Sequence, residues 1–510
     1  MSALRHLPAA LTCLPSVRKS SFRNSRAATT WNPRAKTTAS LVAMPPPCLD
    51  WLPAELVAEI CKCFCHHCAL RNKQRTGPTA RAPSPHRPDH AATVALAHLS
   101  QTCTRINAIA TPYLYHRPIF TSWWLLARTL IGRPDLALHV RYLFDKISCC
   151  TNARPLTLSS SADPFPPKVA RHFKDARILS HNTSATSATM TPTDKETESI
   201  ATLGAAEVRK WEVSESVGML VSLCPNLEEL VAITDSPTTF KWNSAGSLAR
   251  LKHVDLLWHT ARDALSLALL WQLGTVAPNL ASFSCQNVRQ NARSLPVIPT
   301  LPNLVKLRFN QTALCADTLR ALLAACPSLQ SLAFTASTPI RNVAPAEQFT
   351  PLQAYDAIVR FAPNLTSLAL DMSPIYRWGF PVTDVLQSLG GLSKLENLTL
   401  DLGCLVPYAH WLLTNCHHLV PVPDRMLLVD LLPASIRAVS MACHRPDHGG
   451  ATVRHLYDSL LELASAAPER FPDLEYIAVS NFGGKGDPRK VIEGMKSAFE
   501  TEPGNRNCII

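Results

Sequence analysis

Charge is scarce in this chain: Asp, Glu, Lys and Arg make up only 17% of its 510 residues, while apolar types reach 46%. That balance excludes a mainly disordered protein and supplies enough apolar side chains for more than one buried core. Glycine is also sparse, 17 residues beside 41 prolines, which suits many short elements stopped by proline rather than flexible glycine-rich tracts. No apolar run reaches the roughly 18 to 20 residues that a membrane-spanning helix needs, because Lys, Arg, Pro or His interrupts each candidate. Nor is there a secretory signal at the start, so the 17 cysteines, most of them single in apolar patterns, read as reduced core thiols. A soluble protein of the cytoplasm or nucleus is expected.

Acids are missing altogether from residues 1–49, where seven Lys or Arg account for much of the net charge of +12. Residues 1–44 share the Ser-, Thr-, Ala- and Arg-rich composition of a mitochondrial transit peptide. A disordered basic tail over 1–47 and a translation start at Met44 are the other two readings. Cys508 stands one residue short of a prenylation box, so no lipid anchor is expected. The remainder is only mildly basic and has no basic helix interleaved with aromatics, so neither nucleic acid nor membrane is an expected partner.

Catalytic signatures are absent too. The chain has no G-x-S-x-G elbow, no H-E-x-x-H pair and no G-x-x-x-x-G-K-[ST] phosphate loop, so no enzyme, cofactor or small-molecule substrate is expected. Gly483, Gly484, Lys485 and Gly486 read as a flexible turn. His253, Asp255 and His259 lie close in sequence, but Asp255 alternates with Val254 and Leu256 and reads as a surface charge on the open side of a strand. The N-x-[ST] sequons at Asn182, Asn310, Asn364 and Asn397 are read as unmodified.

What the chain does contain is repetition. From Leu227 on, three apolar residues recur at i, i+3 and i+5: CPNLEELVA, RLKHVDL, APNLASFSC, LPNLVKLRF, CPSLQSLAF, APNLTSLAL, SKLENLTL, ASIRAVSM and FPDLEYIAV. Six copies place Pro, a polar residue and Leu in succession, at Pro225, Pro278, Pro302, Pro327, Pro363 and Pro472. An Ala- and Leu-rich helix runs up to the proline, which disfavours helix in the residue before it. The leading apolar residue packs under the turn, and the next two point to one side of a short strand. Such a unit cannot shield its apolar side alone, so copies must stack, strands side by side in a parallel sheet and helices along the outside. The leading residues are Leu227, Leu251, Leu280, Leu304, Leu329, Leu365, Leu395, Ile436 and Leu474, and their widening steps require insertions between the later units. Trp242, Trp258, Trp271 and Trp378 are either target anchors or solenoid core.

Ahead of the repeats, LPAELVAEI at 52–60 opens a helix, a Pro-rich loop spans 71–90, and Val94 to Ala110 carries helical spacing up to Pro112, Tyr113 and Tyr115. Trp123–Ile131 suggests another helix and His139–Phe144 a first strand. Residues 148–203 form a low-complexity insertion. The cluster C-K-C-F-C-H-H-C, Cys61 to Cys68, offers zinc ligands, yet zinc sites usually draw on two ligand pairs separated by a loop. Only His86, His90 and Cys103 stand at a distance, so no metal is assigned and the thiols read as small apolar residues ending the helix, with a polar His pair entering the loop.

LPAELVAEI at 52–60, HLSQTCTRINAIATPYLYHRPIF at 98–120, RTLIGRPDLALHVRYLF at 128–144 and the repeats together resemble fungal F-box-like proteins with degenerate leucine-rich repeats. The resemblance implies an α/β protein: an F-box-like helical domain over 48–120, the first repeat elements over 121–147 and an irregular leucine-rich-repeat solenoid over 204–510. It also implies a substrate-recognition adaptor, whose box docks onto Skp1 of a cullin-based ubiquitin ligase while the repeats hold the protein to be ubiquitinated. The docking residues it implies are Leu52, Pro53, Leu56 and Ile60 in the first helix and Leu99, Cys103, Ile106 and Asn107 in the later one. The alternative reading is a repeat scaffold without ligase docking. Because the repeats lack the regular Asn that hydrogen-bonds the turn after the strand in leucine-rich repeats, their turn groups need other partners.

Overall fold

The structure is a computed structural model that describes residues 49–65, 67–69, 90–120, 123–145, 218, 220–234, 248–258, 267–288, 299–337, 349–372, 384–405, 428–442 and 450–480. The basic N-terminal stretch, the loop at 71–89, the insertion at 148–203, Trp242, Trp378, His259 and Gly483–Gly486 lie outside these residues. The chain divides into two compact units, Met1–Leu136 and Ala137–Ile510.

In the N-terminal unit, helix α1 (Ala54–Phe64) is followed by α2 (His90–Ser100), α3 (Thr104–His116) and α4 (Trp123–Gly132). Pro53 occupies the N-cap of α1 and Glu55 its first turn, a start that suits the helix dipole. Val57, Cys61 and Cys65 recur every fourth residue and pack with Leu96 of α2 and Ile106 and Ala110 of α3. The helical spacing from Val94 to Ala110 is divided by a turn at Gln101–Cys103, where the Cys103 Sγ accepts from the Ile106 N–H and caps α3. Pro112 does not stop α3, which continues to His116. The proline removes one backbone donor, and the packing of Tyr113 and Leu114 against the core offsets that loss.

In the C-terminal unit the described strands form a single ten-stranded sheet, in chain order and parallel throughout. They are β1 (Tyr142–Asp145), β2 (Glu229–Thr234), β3 (His253–Trp258), β4 (Ser282–Gln286), β5 (Lys306–Thr312), β6 (Ser331–Ala336), β7 (Ser367–Asp371), β8 (Asn397–Asp401), β9 (Ala438–Ala442) and β10 (Tyr476–Ser480). The nine recurring segments supply β2 to β10, and all nine leading residues are buried. Register then builds two apolar columns across the sheet. One runs Leu230, Val254, Phe283, Leu307, Leu332, Leu368, Leu398, Val439, Ile477; the other includes Leu256, Cys285, Phe309, Phe334, Leu370, Leu400 and Met441. Sequential parallel strands, with helices among the described residues in connections such as β3–β4, β5–β6, β6–β7 and β9–β10, define an α/β solenoid of leucine-rich-repeat type.

The helices end where the prolines require it. Helix α5 (Ala268–Val276) stops before Ala277-Pro278, α6 (Ala316–Ala324) before Cys326-Pro327, and α7 (Pro351–Phe361) before Ala362-Pro363. Ala277 and Ala362, each preceding a proline, have left the helical region. Thr350 and Gln353 close a capping box at the start of α7.

Turn groups do find other partners. Between neighbouring repeats one carbonyl accepts two successive N–H groups of the next unit: Lys252 O from Ala281 and Ser282, Ala281 O from Val305 and Lys306, Val305 O from Gln330 and Ser331. Asparagine contributes as well, but before the strand. The side chains of Asn226, Asn279 and Asn303, each the polar residue of a Pro-Asn-Leu step, donate to Leu138 O, Ala249 O and Pro278 O of the preceding repeat.

Candidate functional site

Helix α1 carries two apolar stripes about 100° apart, the rotation between successive residues. Val57 and Cys61 face inward. One residue earlier, Leu56 and Ile60 start a second stripe that Phe64 continues, and Leu56 is 52% exposed, with Ile60 half-buried and Phe64 exposed. Just before the helix Trp51 is 62% exposed and Leu49 is exposed too. Scattered apolar residues on a surface need no explanation, whereas a tryptophan and a helical stripe of Leu, Ile and Phe on one small unit have the composition of an interface core.

The residues implied by family resemblance divide by position. Pro53, Leu56 and Asn107 are exposed and Ile60 half-buried. Leu52, Leu99 and Cys103 are half-buried and lie against the core cluster. Ile106 is 2% exposed and belongs to the core cluster of the unit. Asn107 donates through its side chain to Ser100 O, and the Arg105 guanidinium donates to Leu52 O at 2.6 Å, tying α3 to the turn that starts α1. Trp51 and Phe64 were absent from the sequence-based set; the apolar residue four beyond Ile60 was the available signal for Phe64.

The cysteine-rich segment resolves into three environments. Cys61 is core, and burial pushes its thiol up from the ordinary range; here the reading of a small apolar residue ending the helix holds. Cys63 is exposed. Cys65, His67 and Cys68 converge with His116, the last residue of α3, so that one ligand atom from each lies within 4.8 Å of all the others. The Sγ of Cys68 is 3.5 Å from His116 Nδ1 and 3.9 Å from His67 Nδ1, and the Sγ of Cys65 is 3.6 Å from His116 Nδ1. Cys65 and His67 are 2% and 5% exposed. Hydrogen bonding from Cys65 and from the imidazoles of His116 and His67 holds the Cys68 thiol below the ordinary range, while the hydrogen bond to Cys68 and burial raise Cys65. Of the distant ligands considered from sequence, His86 lies outside the described residues, His90 opens α2 and Cys103 caps α3.

On the sheet, the columns opposite the core carry small and polar residues. Lys306 and Arg308 are exposed on β5, with Ser282 and Ser284 beside them on β4 and Ser331 and Ala333 on β6. Asp255 of β3 is only half exposed, and among the described residues no hydrogen bond reaches its buried Oδ1; its register partner on β2, Val231, is itself buried. Among the described residues no helix is long and apolar enough to cross a membrane.

No protein-family model matches the chain, and no curated protein does. Among solved structures, a leucine-rich-repeat protein of Leptospira interrogans aligns over 53% of this chain and 69% of its own, at 15% identity and a TM-score of 0.21. That likeness is too loose to carry an argument, and the repeat architecture rests on the strand register itself.

Proposed function

We propose that the chain is a non-enzymatic adaptor: its N-terminal helical unit docks onto a Skp1-like linker of a cullin-based ubiquitin ligase, and its repeat sheet holds a protein target. The observation that carries the reading is the second stripe of α1. A helix whose inner stripe already completes a core has no folding reason to present Leu56 and Phe64 to water, with Trp51 exposed just before its start, and helix-in-groove recognition uses apolar anchors at the i, i+4 spacing of Leu56, Ile60 and Phe64. The sequence resemblance of the same segment to F-box-like proteins selects the partner. The open face of the sheet, with Lys306 and Arg308 among small residues, supplies a surface for the target.

Retention of purified Skp1 by the full chain tests the reading. Leu56→Glu with Phe64→Glu removes two anchors and leaves the inner stripe in place. With anchors worth about 2 kcal/mol or more at a hot spot, retention falls at least about thirtyfold. A folded wild-type chain that fails to hold Skp1 overturns ligase docking and leaves the repeat scaffold.

A further inference from the structure

We propose that Cys65, His67, Cys68 and His116 form a structural zinc site that locks the C-terminal end of α1 to the C-terminal end of α3. The ligand set is assembled from two stretches of chain, three residues just after α1 and one from the last turn of α3.

Geometry carries the argument. Zn–S bonds of about 2.3 Å and Zn–N bonds of about 2.0–2.1 Å in a tetrahedron place ligand atoms about 3.3–3.8 Å apart. The separations of 3.5 and 3.6 Å fall within that range and 3.9 Å lies just above it, while every pair stays within 4.8 Å, so binding would draw the widest pair together. The two imidazole rings meet edge to face, 84° apart with centroids at 5.6 Å, an arrangement in which two rings can approach one point without stacking on each other. Two soft thiolates and two imidazoles select zinc over oxygen-loving cations, and four protein ligands leave no open position for substrate, the mark of a structural site.

Burial supplies the second line. A thiol and an imidazole as enclosed as Cys65 and His67 belong to a fixed environment, and Tyr113 packs against the outer side of His116 with ring centroids 5.2 Å apart. Binding would replace the thiol protons of Cys65 and Cys68, both released to solvent, and would set two thiolate charges against the divalent cation. A helical unit this small gains from such a clamp because its apolar core is limited. The proposal stands independently of ligase docking.

The test uses the full chain, purified under reducing conditions without added chelator. Elemental analysis is expected to find one zinc per chain, retained by Cys63→Ser and lost from Cys68→Ser and from His116→Ala. Replacement by cobalt(II) gives the visible bands of a tetrahedral site with thiolate charge transfer. If either ligand variant fails to fold, the zinc content and cobalt spectrum of the wild-type chain decide. A folded wild-type chain without zinc, zinc retained in both ligand variants, a cobalt spectrum lacking thiolate charge transfer, or a Cys65–Cys68 disulfide in place of metal each overturns the proposal.

Discussion

The thiol of Cys68 and the imidazole of His116 lie 3.5 Å apart although 48 residues separate them in the chain. Their meeting makes the ends of α1 and α3 one structural point, so whatever loosens it should loosen both helices. Treatment with a zinc chelator is therefore expected to speed amide exchange in the last turns of α1 and α3 by roughly tenfold or more, corresponding to ~1.4 kcal/mol of local stability. Exchange in β5, β6 and β7 stays unchanged. Hydrogen exchange with and without chelator checks both halves of this statement.

Adjacent residues of α1 should respond in opposite ways. Val57 is buried and Leu56 is exposed. Val57→Ala deletes two buried methyl groups and leaves a cavity, for a loss of about 2 kcal/mol. Leu56→Ala should change stability by less than about 0.5 kcal/mol yet weaken Skp1 retention. Denaturant melts paired with the binding assay separate a folding residue from a docking residue; equal destabilisation by both changes would remove the case for a second stripe.

The repeat was legible because its signal is local. Pro-x-Leu and the alternation two residues later lie within one short segment, and the burial of Leu304, Leu307 and Phe309 follows from period alone. The proposed zinc-ligand set was not legible, because convergence of His116 with Cys65 depends on how α1 and α3 pack on each other, which spacing does not encode. Ile106 was assigned to docking by position in a motif, whereas its rotation about α3 places it in the core. The asparagines were visible in Pro-Asn-Leu, but their hydrogen bonds run to the preceding repeat, so a rule about the turn after the strand overlooked them. Asp255 shows the limit of alternation, since on the nominally open face it is only half exposed and its register partner Val231 is buried.

Leu332 and Leu368 are register partners in the middle of the sheet, each buried. Truncating Leu332 to Ala should cost about 2–5 kcal/mol, since stacked units shield one another and cannot collapse around the gap independently. Ala333→Ser, one residue on and facing the other way, should stay within about 0.5 kcal/mol. Urea titration of the two variants reports the difference, and similar values would contradict the assigned faces.

Asn303 donates its side-chain amide to Pro278 O at 3.0 Å, a bond between repeats at an exposed position. Asn303→Ala should lower stability by about 0.5–1 kcal/mol, the range of an exposed neutral hydrogen bond. Asn303→Asp removes the donor while keeping the shape, so its urea midpoint should fall at least as far as that of the alanine variant.

Alkaline pH should weaken the repeats through their buried thiols. Burial raises Cys326 from 9.0 to about 12, so in the folded chain the thiol keeps its proton across a range in which the unfolded chain has lost it. Above pH 9.0 the unfolded state binds fewer protons than the folded one, and stability falls as pH rises towards about 12. Below that window the contribution is present in full. Between pH 8 and pH 10.5 a single such thiol accounts for a loss of about 2 kcal/mol. Cys326→Ala leaves a small cavity and lowers stability at neutral pH, but its own decline over the same interval should be shallower than that of the wild type by about 2 kcal/mol. Urea melts of both chains at the two pH values give the comparison, and parallel declines would mean that the Cys326 thiol is not shielded in the folded chain.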